Sequence, residues 1–331
     1  MEFINFSSND YLGLASHPEI VSAAKNAMEE FGFGGGASRL LSGGSILHRE
    51  LEEKIAHFKG TDAALVFNSG YSANTGTIPS IAGEGDIIFS DELNHASIVD
   101  GCRLSRARTV IYKHRDVEHL SYLMEKEEGE KRIVITDSVF SMDGDIAPLR
   151  EIYDICLMLN SELRTPNSVL LFIDDAHGTG VLGRGKGALA DFDICPEPWI
   201  IQMGTFSKAL GSFGAFVAGS RDVVDWLINT ARSFFFSTAL PACVAAASAR
   251  AIELIEERPE LIEKLWETRD RLVTGLRDKG FDISNSETPI IPLKTKSNED
   301  ALKLSQYLYE KGIYAPAIRP PAVKTPRVRI T

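Results

Sequence analysis

Val169 to Gly178 reads VLLFIDDAHG. Five apolar residues run without a polar break, and Asp174 then opens a polar segment that closes on glycine. An apolar run this short, bounded by turn residues, reads as a strand covered on both faces, as in parallel sheets. The same texture recurs on either side: Ala63 to Phe67 (AALVF), Asp86 to Phe89 (DIIF), Arg132 to Thr136 (RIVIT), Trp199 to Met203 (WIIQM) and Ala215 to Ala218 (AFVA). Helical patterns lie between them, among them Val117 to Glu127 and Leu149 to Leu159. The alternation predicts an α/β fold built on a large, mainly parallel sheet.

Beyond Pro241 the texture changes. Ala242 to Glu257 reads as a long helix, and Pro259 opens another that reaches Lys279. Ile290 to Leu293 then reads as a strand, Asn298 to Lys311 as a helix and Ile313 to Ala317 as a strand, a smaller α+β unit. The expected division is an N-terminal segment 1–35, a large domain 36–240 and a small C-terminal domain 241–331.

Composition bounds the chemistry. The 331 residues are 44% hydrophobic and 24% charged, which is the make-up of a folded globular chain and not of a disordered one. A net charge of -11 repels phosphate backbones, so nucleic acid is not an expected partner. No apolar run reaches membrane-spanning length, and no basic-then-apolar leader opens the sequence. The four cysteines, Cys102, Cys156, Cys195 and Cys243, are scattered and suggest neither a zinc site nor a disulfide framework. A cytoplasmic protein without a metal is the expectation.

In open parallel sheets, ligands sit at the carboxyl ends of the strands. Four such ends carry special residues. After AALVF comes Asn68 to Asn74 (NSGYSAN), where Gly70 lets the backbone turn and bare N–H groups at a helix start offer an anion site. An ordinary strand-to-helix turn reads the same way. After VLLFI comes Asp174, whose carboxylate needs a partner if buried, with His177 three residues on. Asp174 could pair with a protonated ring nitrogen and His177 could donate to an oxygen. A capped surface loop or a metal site would also fit these two. After WIIQM comes Gly204 to Gly211 (GTFSKALG). Lys208 there has small and apolar neighbours, which suits an amine nucleophile, and Thr205 and Ser207 supply hydroxyls for a phosphate. After RIVIT, Asp137 to Gly144 (DSVFSMDG) offers Ser141 as a donor. A phosphate cradle, an acid, a histidine and a lysine at successive strand ends are the set that pyridoxal 5'-phosphate (PLP) requires.

Two glycine patterns compete. Gly178 to Gly183 (GTGVLG) matches GxGxxG, the mark of an NAD-binding oxidoreductase, but a dinucleotide fold needs these glycines to open a helix, and no helical pattern starts there. Gly180 to Gly187 (GVLGRGKG) nearly matches a P-loop but ends in glycine where a magnesium-binding hydroxyl is needed.

Across essentially the whole chain the sequence resembles the α-oxoamine synthases, PLP enzymes of the aspartate-aminotransferase fold. The segments that carry the likeness are NFSSNDYLGL (Asn5 to Leu14), SGYSAN (Ser69 to Asn74), DELNHASIVDG (Asp91 to Gly101), SVFSMDGD (Ser138 to Asp145), DDAHGTGVLG (Asp174 to Gly183), TFSKALG (Thr205 to Gly211) and AIRPPAV (Ala317 to Val323). The resemblance implies a Schiff base on Lys208, Asp174 at the pyridine nitrogen, His177 and Ser141 at the ring hydroxyl, and His95 stacked on the ring. It further implies Gly70, Tyr71, Thr205 and Ser207 around the phosphate, and Ser237 and Thr238 reaching the phosphate of a neighbouring subunit in a homodimer. Arg329 resembles the arginine that holds the amino-acid carboxylate, with Asn9 and Arg319 also facing substrate.

AIRPP and GGASRLLSG (Gly35 to Gly43) look most like the members that join L-alanine to pimeloyl-CoA, or a pimeloyl-carrier thioester, releasing CoA and CO2 on the way to biotin. A glycine-using member of the 2-amino-3-ketobutyrate ligase type is the alternative. So is an inactive paralogue, because family members extend further at both ends and the small domain is expected to be incomplete. Ala322 stands where the nearest members have a substrate-contacting threonine, which leaves the acyl chain open.

Overall fold

The structure, a computed structural model, describes residues 3–162, 169–283 and 286–331. Its strands are β1 (Ile4–Asn5), β2 (Ala63–Phe67), β3 (Ile87–Asp91), β4 (Arg108–Tyr112), β5 (Arg132–Asp137), β6 (Val169–Asp174), β7 (Ile200–Thr205), β8 (Ala215–Gly219), β9 (Ile291–Lys294), β10 (Ile313–Tyr314), β11 (Ala317–Ile318) and β12 (Arg327–Ile330). Seven form one sheet in the order β2-β8-β7-β6-β5-β3-β4. All its pairs are parallel except those of β8, which runs antiparallel to both β2 and β7.

The apolar runs are strands because both faces of the sheet are covered. β2, β3, β7 and β8 are buried at every position. One face packs with Leu51, Ile55 and Ile252, the other with Ile78, Ile98 and Phe234. Each fully buried side chain of this size contributes about 1.5–3 kcal/mol of transfer free energy. β4 has no counterpart among the predicted strands. It lies at the sheet edge with only Tyr112 buried, so it lacks the continuous apolar run that marks the others.

Helix Ala242–Glu257 lays Ala251, Ile252 and Ile255 onto the main core. Helix Glu260–Asp278 bridges two cores, giving Ile262 to the main one and Val273 to a smaller one with Ile291, Leu293, Val328 and Ile330. That smaller core sits on the antiparallel sheet β11-β12-β9, and Phe6 from the N-terminal segment packs against it. The single strand predicted for Ile313 to Ala317 is two. β10 pairs with β1 and β11 with β12, and Pro316, which has no N–H to offer a ladder, separates them.

Candidate active site

The parallel strands deliver their last residues to one edge of the sheet. β5 ends on Asp137 and β6 on Asp174, which are register partners, and Asp174 faces Met203 of β7. Beyond these ends lies a cavity of about 180 Å3 lined by Gly70, Tyr71, His95, Ser97, Asp137, Ser141, Asp174, His177, Thr205, Ser207 and Lys208. Nine residues predicted from four strand ends and one loop thus meet in one place: Gly70, Tyr71, His95, Ser141, Asp174, His177, Thr205, Ser207 and Lys208.

Asp174 is buried and accepts from Asn74 Nδ2 at 2.7 Å and from Ala176 N at 3.0 Å. Burial pushes its carboxyl upward against the opposing pull of Lys208 and of these hydrogen bonds. Asp137 is pushed well above the ordinary carboxylate range, by burial and then by Asp174 beside it. Burial lowers Lys208, and Asp174 and Asp137 only partly restore it. Among the described residues, no carboxylate lies within ion-pair distance of the Lys208 amine. A lysine amine depressed in this way is available as a nucleophile.

His177 is neutral, because burial and then the nearby charges of Lys208 and Arg329 hold it well below the usual histidine range. Its Nδ1 lies 2.6 Å from the Tyr11 hydroxyl. His95 caps helix Ala96–Ser105, and its Nδ1 lies 2.7 Å from Ser97 Oγ, which accepts from Asn74 Nδ2 at 2.8 Å. Asn74 therefore ties His95 to Asp174 through Ser97.

The anion cradle is the start of helix Gly70–Ile81, capped by Ser69 accepting from Ser72 N at 3.1 Å. Gly70 itself departs from the sequence reading. Its φ is not left-handed, and an added Cβ would meet only Met203 Cε at 3.8 Å, so the turn does not require glycine there. Gly211 does. It sits at φ +60, and a Cβ would come within 2.2 Å of Ala15 N, which fixes the turn after Lys208 against the N-terminal segment. The Tyr71 hydroxyl is bonded to Asp100.

Arg329, on β12, donates from Nε to the Ser141 carbonyl at 2.6 Å and from Nη2 to Asn9 Oδ1 at 3.1 Å. Arg327, on the same strand face, is taken up by Asp143 at 2.7 Å. Arg319 is exposed and does not line the cavity. Ser237 and Thr238 lie in a separate small cleft with Arg39 and Asn68, whose amide donates to the Thr238 carbonyl at 2.8 Å. Gly178 to Gly183 forms successive turns and opens no long helix.

Asp175 turns away from the cavity into a buried ion pair with Lys59 at 2.8 Å. It also accepts from Ser138 at 2.7 Å and Thr179 at 2.9 Å. The loop carrying Asp174 and His177 is thereby pinned from beneath.

The profile of the family described as aminotransferase class I and II matches residues 1–331. The chain belongs to that family. It is 50% identical to an 8-amino-7-oxononanoate synthase of Geobacter metallireducens, covering all of this chain and 84% of that one. It superposes with a TM-score of 0.93 and 31% identity on a serine palmitoyltransferase variant from S. paucimobilis with a bound PLP–myriocin aldimine, over 99% of this chain and 82% of that one. With 8-amino-7-oxononanoate synthase of Francisella tularensis the TM-score is 0.84 at 28% identity, over 99% and 91%.

Four residues of this family member's site were not singled out from sequence: Tyr11, Asn74, Ser97 and Asp137. Asp137 carried the same signal as Asp174, an acid ending an apolar run. Asn74, seven residues past a strand end and one turn into the helix, was legible as a residue facing the sheet edge. Tyr11 had no local signal, because its partner lies 166 positions away.

Proposed function

We propose that this chain condenses L-alanine with pimeloyl-CoA, or a pimeloyl-carrier thioester, giving 8-amino-7-oxononanoate with loss of CoA and CO2. It is a pyridoxal-phosphate-dependent acyltransferase of the biotin pathway's condensing type. The observation that carries the reading is the convergence of the Lys208 amine, the buried Asp174 carboxylate and the neutral His177 ring on one cavity beside a helix N-terminus.

These residues fit the cofactor. Lys208 has an unpaired, depressed amine to hold its aldehyde carbon, and Asp174 has a fixed carboxylate for its ring nitrogen. His177 and Ser141 would meet its ring oxygen and His95 its ring face. Gly70, Tyr71, Thr205 and Ser207 would surround its phosphate. When bound, the cofactor supplies an electron sink for charge that develops at an amino-acid α-carbon. The Asp174 carboxylate, in its ionised form, would favour a proton on the ring nitrogen of the bound cofactor. Arg329 holds the amino-acid carboxylate, and Asn9 fixes the guanidinium. The Lys208 amine would be the base that removes the α-proton and the acid that returns one.

A homodimer completes the proposal. Phe33, Leu41 and Phe236 are 75%, 81% and 68% exposed, and they flank the bridge between Ser38 and Thr238. Exposed apolar side chains of this kind, near Ser38 and Thr238 along the chain, support reading Ser237 and Thr238 as facing a second copy's phosphate site. Among the described residues, no helix is long and apolar enough to cross a membrane, and we place the protein in the cytoplasm.

The test is an absorbance spectrum of the purified protein with PLP, before and after borohydride, followed by turnover with alanine or glycine and several acyl thioesters. Cofactor fixed to Lys208 by reduction, and fastest turnover with alanine and a pimeloyl thioester, are expected. A colourless protein that takes up no PLP, or a Lys208→Ala variant that still turns over, would overturn the reading.

A further inference from the structure

We infer that Lys294 and Arg327 form a cationic clip that takes an anionic group of the thioester substrate. That group is the distal carboxylate of the acyl chain or a phosphate of the carrier arm, and Lys294 is a specificity-determining residue for it. The inference rests on the proposed function for the identity of the substrate.

A second cavity, of about 550 Å3, adjoins the one that Lys208 lines, and Ser141 lines both. Its size suits a whole small ligand. Leu93, Phe140 and Val323 give it an apolar wall fit for a methylene chain. Its ionisable lining is unequal: the basic residues His114, Arg115, Lys294, Lys324 and Arg327 stand against Asp143 and Asp145. In a chain of net charge -11 this is a local reversal.

Three of the five have acidic partners of their own. His114 bonds Asp91 at 2.9 Å and Asp145 at 2.7 Å, Arg115 lies 3.0 Å from Glu287, and Lys324 lies 4.0 Å from Glu92. Lys294 and Arg327 have only Asp143 between them. Lys294 Nζ at 3.3 Å and Arg327 Nη1 at 2.7 Å reach the same oxygen, Oδ1. Two cations on one carboxylate leave one positive charge uncompensated. Arg327 is only 4% exposed. Its Nε donates to the Thr325 carbonyl at 3.1 Å and its Nη1 to the Met142 carbonyl at 2.9 Å as well as to Asp143. Among the described residues, its Nη2 has no acceptor. A buried donor left unpaired is costly, and this one belongs to a residue that lines the cavity.

The strands set the two cations together. Lys294 on β9 and Arg327 on β12 are register partners, so their side chains share one face of the small sheet. Like charges directly opposite each other destabilise a sheet, and Asp143 offsets only one of them. An incoming carboxylate or phosphate supplies the missing charge and accepts from a guanidinium and an ammonium at once. Because Ser141 borders both cavities, a thioester that reacts near Lys208 can extend its anionic end toward the clip.

The experiment is calorimetric titration of the purified full chain, with no amino acid present, against three thioesters. Pimeloyl-CoA carries both anions, heptanoyl-CoA only the phosphates, and the N-acetylcysteamine thioester of pimelate only the carboxylate. Lys294→Met is expected to weaken binding about ten- to a hundredfold for the compounds that carry the recognised anion, and Lys294→Arg to restore most of it. Loss with both pimeloyl compounds but not with heptanoyl-CoA assigns the clip to the acyl carboxylate. Loss with both CoA compounds but not with the N-acetylcysteamine thioester assigns it to a phosphate. Unchanged binding, an equal loss with all three, or a wild type that binds none of them overturns the inference. Binding that depends on Lys294 without turnover would instead sink the proposed activity and leave the clip standing.

Discussion

Asn74 Nδ2 lies 2.7 Å from Asp174 Oδ2, a hydrogen bond between two buried residues 100 positions apart. Its second hydrogen goes to Ser97, which supports His95. One amide thus fixes the carboxylate proposed for the cofactor's ring nitrogen and the histidine proposed for its ring face.

Replacing Asn74 with Ala leaves Asp174 short of a donor. A hydrogen bond to a charged group is worth about 1.5–3 kcal/mol, so cofactor affinity should fall about ten- to a hundredfold. Titration of the apo protein with PLP, followed by absorbance, reads the change. An unchanged dissociation constant would show that Asp174 is held by other means.

The Lys59–Asp175 pair is buried on both sides, with side-chain exposures of 0% and 2%. Its surroundings are tight, since a Cβ on Gly187 would fall 1.9 Å from Asp175 Oδ2. Lys59→Met strands the carboxylate and should cost about 3–5 kcal/mol. Urea denaturation checks this, and a loss below about 1 kcal/mol would mean that Ser138 and Thr179 suffice.

His114 bonds Asp91 at 2.9 Å and Asp145 at 2.7 Å, joining the segment that leads to His95 with the one that follows Ser141. Burial disfavours its proton, but the bonds to Asp145 and Asp91 outweigh that and raise it to about 9. A raised pKa stabilises the fold fully below the unfolded value near 6.5 and loses that contribution as pH climbs through 9. The stability difference between wild type and His114→Gln should shrink across that window by an amount of order 3 kcal/mol. Denaturation midpoints from pH 6 to pH 10 measure it, and a constant difference would contradict the assignment.

Arg329→Lys keeps the charge and discards the planar fork. If Arg329 grips the amino-acid carboxylate, KM for that substrate should rise about ten- to a hundredfold with a smaller change in kcat. Steady-state kinetics with alanine varied at saturating thioester separate the two. A fall in kcat at unchanged KM would move Arg329 from substrate holding to positioning of Ser141 and Asn9.

The sequence alone determined the order of elements and the chemistry at the strand ends. A strand covered on both faces must be apolar throughout, so VLLFI and WIIQM announce themselves, and the first polar residues after them fall at the sheet edge. Asp174, His177 and Lys208 were legible for that reason. The edge strand Arg108–Tyr112 was not, because half-exposed positions need no apolar run. Tertiary structure alone decided which residues from distant stretches meet there. Asn9 and Arg329, 320 positions apart, touch because the N-terminal segment packs against the small core through Phe6. Arg327 and Arg329 share one strand pattern, yet packing gives the first to Asp143 and leaves the second at the site. Local spacing carries no record of such contacts, because side chains on different elements are brought together only by the way those elements pack.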